Sequence, residues 1–401
     1  MSKQESIKVR GFKFSARSAG IKKSGKPDMA LIYSEVPACC AGVFTTNKVV
    51  AAPVVVSAPR IRQGSCQAVV INSGNANACT GEEGLRDALR TGELAAHALG
   101  VSEDLVAVSS TGVIGVSLPM EKFERHVPLL AADLQADRAA AVAEAIMTTD
   151  AFPKISVSRG KVEDASYTIM GLAKGAGMIH PDMATMLAFM VTDAPVAGRH
   201  LRQALRTATD ESFNQISVDG DESTNDTAVL LANGAAGGTP IDPQHPDWDA
   251  FQGAVTDVCT RLARRIAADG EGATKLIEVR ILGARDQRLA RLAARNVAAS
   301  NLVKSAIHGS DPNWGRIVSA IGQTHAPIDP DVVTVKVGDR KALVTVLDKG
   351  EVIDNEEAAN ERLQSPEVVI EVDLAQGDAT GTAWGCDLTP DYVTFNAEYT
   401  T

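Results

Sequence analysis

The pattern of apolar positions in the first third of the chain predicts short strands, tight turns and one amphipathic helix. Residues 51–56 and 66–71 are apolar runs rich in β-branched side chains, which are typical of strands. The second run leads directly into a turn rich in glycine and asparagine. From Leu85 to Leu99 apolar residues recur at helical spacing, and Gly100 is a typical residue at which such a helix ends.

The middle of the chain predicts two further helices, followed by strands. One helix follows Pro119, because proline suits the first position of a helix. Another covers the alanine-rich residues 136–147. Three strand-like segments come next, at residues 155–158, 167–172 and 186–191.

The second half repeats this mixture of elements. Helices are predicted at residues 199–213 and from Phe251 to Ile266, where apolar residues follow a 3.6-residue period. Alternation predicts a half-buried strand at residues 276–281, and the proline-rich residues 234–248 are interpreted as a loop. Three more strand-like segments lie at residues 332–337, 343–347 and 368–374. Since strands outnumber clear βαβ alternations, the pattern favours a layered α+β fold over a doubly wound sheet.

Composition narrows the class of protein. The 401 residues favour two or three domains, or two large intertwined halves. A net charge of −11 argues against a dedicated nucleic-acid binder, and a hydrophobic content of 45% argues against disorder. No apolar run reaches the roughly 20 residues that span a bilayer, and the basic first 26 residues lack the apolar region of a secretory signal. The six cysteines show no metal-like spacing, so we expect free thiols and a cytoplasmic protein.

The segment at residues 174–187 (KGAGMIHPDMATML) carries the most informative chemistry. Its glycines permit backbone conformations closed to other residues, and Pro181 restricts both itself and His180. Such a constrained loop would present the hydroxyl of Thr185 at the start of the predicted strand. On spacing alone, an ordinary threonine at a strand start is the favoured interpretation of Thr185, because a glycine motif without a βαβ unit is a weak signal.

This segment closely resembles the self-cleavage region of the ornithine acetyltransferases, the glutamate N-acetyltransferases of arginine biosynthesis. Further matching blocks occur in order along nearly the whole chain. They are residues 72–78 (NSGNANA), 109–115 (SSTGVIG), 147–150 (MTTD), 217–226 (SVDGDESTND), 269–275 (DGEGATK), 306–316 (AIHGSDPNWGR) and 395–396 (FN). The number and order of these blocks make chance agreement implausible.

The resemblance implies that the precursor cuts itself between Ala184 and Thr185. Residues 1–184 would form an α chain, and residues 185–401 a β chain that begins at the nucleophile Thr185. The implied fold is α+β, with an αββα-type core shared by both chains and a C-terminal α/β portion. It is similar to N-terminal-nucleophile hydrolases in layering but has its own topology. Members of the family are heterotetramers of two α and two β chains, and we carry this over as an expectation.

Elementary chemistry explains why cleavage would activate the threonine. A hydroxyl is a weak nucleophile without a base. A free α-amino group has a pKa of about 7.7–8.0, so it can accept a proton near neutral pH. The resemblance implies transfer of acetyl from N2-acetylornithine to glutamate through an acetyl-Thr185 intermediate, with Thr111 and Gly112 forming the oxyanion hole. On sequence alone, Thr111-Gly112 is equally an ordinary turn.

Family correspondence also places several residues around the substrate. Lys174 would bind a substrate carboxylate, and Glu271 the substrate ammonium group. The full implied substrate-binding set is Thr148, Lys174, Thr185, Glu271, Asn396 and Thr401. Without the resemblance, Lys174 would be interpreted as a solvated lysine and Glu271 as part of a surface turn.

A metal site is not expected. The seven histidines lack metal-binding spacing, and the acidic cluster of Asp219, Asp221, Glu222 and Asp226 fails the calcium-loop pattern because Ala232 stands at its twelfth position. We interpret this cluster as a turn near the site. Residues 72–77 are interpreted as scaffolding for the oxyanion turn.

Two alternatives remain open at the level of sequence. The same threonine, oxyanion hole and free amine would make an amidohydrolase or aminopeptidase if water replaced glutamate. Acetyl-CoA is a second conceivable acetyl donor, which would make the enzyme bifunctional. The acidic charge offers no evident surface for CoA phosphates, and this favours the recycling reaction. No other cofactor, no nucleic acid and no membrane partner is expected.

Overall fold

A computed structural model describes residues 7–180 and 186–398, and all structural statements below concern these residues. The strands are β1 (Phe12–Arg17), β2 (Met29–Phe44), β3 (Ser65–Asn75), β4 (Val106–Val113), β5 (Lys154–Val162), β6 (Ala165–Lys174), β7 (Leu187–Thr192), β8 (Ile216–Ser217), β9 (Thr227–Ala232), β10 (Leu276–Ala284), β11 (Thr334–Asp339), β12 (Leu343–Asp348), β13 (Glu351–Val352), β14 (Glu367–Asp373) and β15 (Ala379–Cys386).

The helices lie between these strands along the chain, in places two or three in succession. They are α1 (Ala52–Arg62), α2 (Gly81–Leu99), α3 (Met120–Ala132), α4 (Ala139–Ala145), α5 (Gly198–Glu211), α6 (Trp248–Ala268), α7 (Gln287–Ala299), α8 (Asn301–His308), α9 (Trp314–Gly322), α10 (Glu356–Leu363) and α11 (Pro390–Glu398). None of them is both long and apolar enough to cross a membrane.

The first sheet has the strand order β4-β3-β2-β9-β7-β6-β5, with β1 also paired to β2. Strand β2 belongs to two halves of this sheet. Its first part pairs with β1 and β3, its last part pairs with β9, and the pairing register with β3 shifts between Tyr33 and Ala38. Strands from both sides of residues 181–185 are therefore interleaved, because β9 and β7 lie between β2 and β6.

Alternation along the strands builds four layers. In β7, Leu187, Phe189 and Val191 join a core shared with β1–β4, whereas Ala188 and Met190 face a core shared with α5 and α6. The half of the sheet that contains β2, β3 and β4 packs its second face on α2 and α3. The order is thus helices, half-sheet, half-sheet, helices, which confirms the expected αββα core.

The C-terminal part is a second sheet with its own apolar core. Its order is β13-β12-β11-β14-β10-β15-β8. Ile277, Val279 and Ile281 of β10 enter a core with residues of α7–α10. This is the α/β portion expected from the resemblance.

The helices predicted by periodicity are confirmed as α2 and α6, and those predicted after Pro119 and at residues 199–213 as α3 and α5, but the strand predicted at residues 51–56 is wrong. Residues 52–56 form the first part of α1, which begins after the capping residue Ala51 and has Pro53 in its first turn. Tertiary contacts outweigh the β-branched composition, because Ser57 Oγ donates to the carbonyl of Val108 at 2.6 Å and Arg60 Nη1 donates to the carbonyl of Val106 at 2.8 Å. Helix α4 is also shorter than the predicted residues 136–147.

Candidate active site

A cleft with about 640 Å³ of empty space, part of it open to solvent, lies where strands of the first sheet end. It brings together six of the residues that the sequence assigned to the site. These are Thr111, Gly112, Thr148, Lys174, Glu271 and Asn396. They come from positions 111 to 396, so only the folded chain makes them neighbours.

Three predicted site residues, Ala184, Thr185 and Thr401, lie outside the described residues. Met186, which follows Thr185 in the chain, makes two backbone hydrogen bonds. The backbone N–H of Met186 donates to Asp226 Oδ1 at 2.9 Å, and the carbonyl of Met186 accepts from the N–H of Thr227 at 3.1 Å. The first residues of β7 and β9 are thereby held side by side.

The Thr111-Gly112 turn depends on glycine. Gly112 has φ = 133°, and a Cβ atom there would lie 2.4 Å from the backbone carbon of Gly74. The asparagine-rich turn after β3 supports it: Ser110 Oγ donates to Asn72 Oδ1 at 2.7 Å, and Asn72 Nδ2 donates to the carbonyl of Asn75 at 2.8 Å. The structure therefore places residues 72–77 as the scaffold directly beneath this turn.

Lys174 ends β6 inside the cleft and is 4% exposed. Its Nζ donates to the hydroxyl of Thr111 at 3.3 Å, so the Thr111 hydroxyl acts as acceptor to lysine and keeps its own hydrogen for another partner. Burial lowers the pKa of Lys174, against the opposing effect of the Asp150, Glu271 and Asp226 carboxylates. The buried Lys174 thus holds the Thr111-Gly112 turn through the Thr111 hydroxyl.

A network of buried ion pairs, which the sequence did not reveal, lies beside Lys174. Lys154 Nζ binds Asp150 Oδ1 at 2.7 Å and Asp269 Oδ2 at 2.5 Å, and all three side chains are almost fully buried. Asp150 also accepts from the N–H groups of Gly175 at 2.7 Å and Thr148 at 3.0 Å. Burial alone would raise the pKa of Asp150, but Lys174 and Lys154 outweigh it and lower that pKa to about 2. The network fixes the backbone beside two predicted substrate-binding residues.

Glu271 and Asn396 line the same cleft and bind each other. Asn396 Nδ2 donates to Glu271 Oε2 at 3.0 Å. Gly177 makes room for this carboxylate, since a Cβ atom at position 177 would lie 2.4 Å from it. Thr389 Oγ1 donates to the carbonyl of Gly272 at 2.7 Å, which anchors α11 next to the cleft.

Ser223 and Asn225 also line the cleft, although sequence reasoning gave them no role. Asn225 Nδ2 donates to the carbonyls of Ala76 at 2.6 Å and Ser110 at 2.9 Å. It therefore ties the residue before Asp226 to the strand that leads into the Thr111-Gly112 turn. The signal available was the matching block at residues 217–226, which did not indicate what each residue does.

The acidic cluster acts as a structural turn, as interpreted from the sequence. Asp219 accepts from the backbone N–H groups of Met178 at 2.6 Å and Ile179 at 2.8 Å. Asp226 accepts from Met186, as described above. The two carboxylates thus bind the backbone on both sides of residues 181–185.

Comparison with known proteins identifies similar sequences over nearly the whole chain. The sequence profile of the ArgJ family matches residues 13–401. The "arginine biosynthesis bifunctional protein ArgJ" of Syntrophotalea carbinolica is 52% identical over 98% of this chain and 100% of its own length. A solved chain of the same description from Bacillus halodurans is 44% identical, with a TM-score of 0.51, and covers 53% of this chain and 98% of its own. A Mycobacterium tuberculosis ornithine acetyltransferase, solved in complex with ornithine, is 41% identical, with a TM-score of 0.42, over 43% of this chain and 93% of its own.

Proposed function

This chain belongs to the ArgJ family, and on that premise we propose that it moves the acetyl group of N2-acetylornithine to glutamate through Thr185 after cutting itself at Ala184-Thr185. The coarser statement follows from membership alone: the chain is a glutamate N-acetyltransferase of arginine biosynthesis. The observation that carries the finer proposal is the convergence of Thr111, Gly112 and Lys174 with Thr148, Glu271 and Asn396 in one cleft.

Two observations support self-cleavage. The Bacillus halodurans chain is matched over 98% of its length yet spans 53% of this chain, so it is about half as long. A half-length polypeptide is what cleavage near the middle of the chain would produce. The interleaving of β7 and β9 with β2 and β6 would keep both fragments in one core after the cut.

The transfer runs in two steps that conserve every proton. The Thr185 hydroxyl oxygen attacks the acetyl carbonyl while its proton passes to the α-amine of the same residue. The tetrahedral oxyanion accepts hydrogen bonds from the Thr111 hydroxyl and the Gly112 N–H. The C–N bond then breaks, ornithine leaves with the proton, and acetyl-Thr185 remains. Attack by the glutamate amine reverses this sequence and releases N-acetylglutamate.

Charge in the cleft matches both amino-acid substrates. Lys174 supplies a cation for a carboxylate, and Glu271, already held by Asn396, supplies an anion for an ammonium group. Thr148 and Thr401 complete the proposed substrate contacts, and the assembly is proposed to be a heterotetramer. The word "bifunctional" in the relatives' names supports acetyl-CoA as a second donor, which widens the activity beyond the recycling reaction that the acidic charge favoured.

Intact mass under denaturing conditions tests the cleavage. We expect two polypeptides, residues 1–184 and 185–401, and for Thr185→Ala a single uncut chain with no transfer activity. Thr185→Ser is the matched control, since it keeps a hydroxyl and should be cut. An uncut and fully active wild type would contradict the proposal.

Product analysis separates a transferase from a hydrolase. Incubation with N-acetylornithine should give N-acetylglutamate only when glutamate is present. Net acetate release without glutamate would instead identify an amidohydrolase. Replacing N-acetylornithine by acetyl-CoA tests the second donor.

A further inference from the structure

The carboxyl group of Asp226 has one oxygen that the structure leaves unexplained. Asp226 is 1% exposed and lies directly before β9. Its Oδ1 accepts from the Met186 N–H, whereas its buried Oδ2 accepts no hydrogen bond within 3.5 Å from residues 7–180 and 186–398, although the Ser223 hydroxyl lies near the carboxyl group. A buried polar atom without a partner is costly, and such an atom in a native fold calls for a reason.

Rigid elements hold this carboxyl group in place. Strands β7 and β9 run parallel, with Leu187 opposite Thr227. The carbonyl of Asp226 accepts from the N–H of Thr45 at 3.0 Å, and the neighbouring Asn225 is tied to two backbone carbonyls. The carboxyl group therefore has a fixed position next to the backbone of Met186.

The surroundings favour the protonated form of Asp226. Burial raises the pKa of Asp226 well above its ordinary value, and Glu222 acts in the same direction. The Met186 N–H, Lys174 and the Ser223 hydroxyl oppose the rise without cancelling it. Because Oδ1 is the acceptor for Met186, the proton of the neutral acid belongs on Oδ2.

We propose that Asp226 is the acid that protonates the Thr185 nitrogen during self-cleavage and then serves as the counter-ion of the new amino terminus. This inference rests on the proposed function. Covalent geometry supports it, because only three bonds separate the backbone nitrogens of residues 185 and 186, and Asp226 already binds the second of them.

The step balances as an acyl shift followed by hydrolysis. The Thr185 oxygen bonds to the Ala184 carbonyl carbon, the C–N bond breaks, and its electron pair stays on nitrogen. That nitrogen gains the Asp226 proton and the hydroxyl proton, giving an α-ammonium beside a carboxylate. Water then hydrolyses the ester, which restores the Thr185 hydroxyl and releases the Ala184 carboxylate and one proton to solvent. Return of a proton from the α-ammonium to Asp226 leaves the free amine that the transfer reaction needs.

To test this, the protein is made by cell-free synthesis, and its self-cleavage is followed over time by measuring intact mass. Asp226→Asn keeps the size of the side chain and an acceptor for Met186 but has no acid proton. We expect its cleavage to be at least about 100-fold slower, the lower range for loss of a general acid. Asp226→Glu restores a carboxylic acid and should recover a measurable part of the rate.

Asp193→Asn is the matched control. Asp193 is 2% exposed, follows the opposite end of β7 and accepts from the N–H of Thr168 at 2.7 Å. Its replacement also removes a buried carboxylate but should leave the cleavage rate unchanged. The wild-type rate should fall as pH rises through the pKa of Asp226, and the Asp226→Asn rate should lack this dependence.

The outcomes separate this inference from the proposed function. Cleavage of Asp226→Asn at the wild-type rate, in a wild type that is itself cut, would overturn the role of Asp226 alone. An uncut wild type would overturn the proposed function. If Asp226→Asn does not fold, the Asp226→Glu rate and the wild-type pH profile still decide: no cleavage of a folded Asp226→Glu, together with a flat profile, would overturn the inference.

Discussion

The cleft and the apolar core of the C-terminal sheet place charged groups differently, because the buried Glu278 of β10 lies on the face of the sheet away from that core, bound to Arg280, Arg340 and Trp384. Around the cleft, the buried groups Lys154 and Asp150 bind each other, Asp150 also binds the backbone, and the buried Lys174 binds the Thr111 hydroxyl. The core of the C-terminal sheet is built from Ile, Val, Leu and Ala side chains, and its cross-strand ion pair of Lys336 and Glu371 is partly exposed.

The difference reflects what each region is for. Removing charge from water costs several kcal/mol per ion unless partners compensate, so a purely structural core gains nothing from it. Functional sites are where buried charges with shifted pKa values concentrate. The network behind the cleft is best understood as the support that keeps Thr148 and Lys174 in place for chemistry.

The largest expected effect comes from breaking that network. Lys154→Met leaves the carboxylates of Asp150 and Asp269 buried without their shared cation, and we expect a loss of about 3–5 kcal/mol in the free energy of unfolding. Urea unfolding measures it. Adding Asp150→Asn and Asp269→Asn should return part of the loss, and a triple variant as unstable as Lys154→Met would contradict the explanation.

The next effect concerns rate and leaves stability nearly unchanged. Thr111→Val removes the hydroxyl proposed to bind the oxyanion, and we expect kcat to fall about 100- to 1000-fold. Steady-state transfer from N-acetylornithine to glutamate measures it. Thr111→Ser keeps the hydroxyl bound by Lys174 and should retain most of the rate, so equal losses in both variants would argue against the oxyanion role.

The same contrast explains what the sequence could predict. Periodicity found α2 and α6 because each buries one regular face. It failed at α1, whose helical state depends on contacts with β4, and it missed β9, an entirely buried strand between two others. Local pattern carries no information about neighbours that are distant in sequence.

The candidate site was likewise predicted from the sequence only in part. The motif blocks identified residues that line the cleft, because their sequences resemble those of a known family. They did not reveal that Lys154 and Asp269, 115 residues apart, share a salt bridge, or that Asp226 holds the start of β7. Such supporting contacts form only when the chain folds, so no periodic pattern of apolar residues along the sequence predicts them.

A smaller effect of opposite sign is expected from Asp226→Asn. Burial raises the pKa of Asp226 in the folded chain. At pH values between the pKa of the unfolded chain and that of the folded chain, the folded chain therefore binds a proton that the unfolded chain lacks. In this range the free energy of unfolding falls as pH rises. Asparagine removes this penalty. The variant should be more stable than the wild type at neutral pH, and the gain should shrink as pH falls towards 4. Thermal unfolding across this range tests it; a gain independent of pH would argue against an ionisable origin.

The smallest effect should come from the C-terminal pair. Lys336 stands directly opposite Glu371 on neighbouring antiparallel strands, with Nζ and Oε1 3.3 Å apart and the lysine side chain 41% exposed. Water already solvates such a pair, so Lys336→Met should cost no more than about 1 kcal/mol of unfolding free energy and leave kcat unchanged. Urea unfolding beside Lys154→Met makes the comparison direct. The same substitution removes one lysine in each region, so a cost at Lys336 equal to that at Lys154 would mean that burial is not what distinguishes the two.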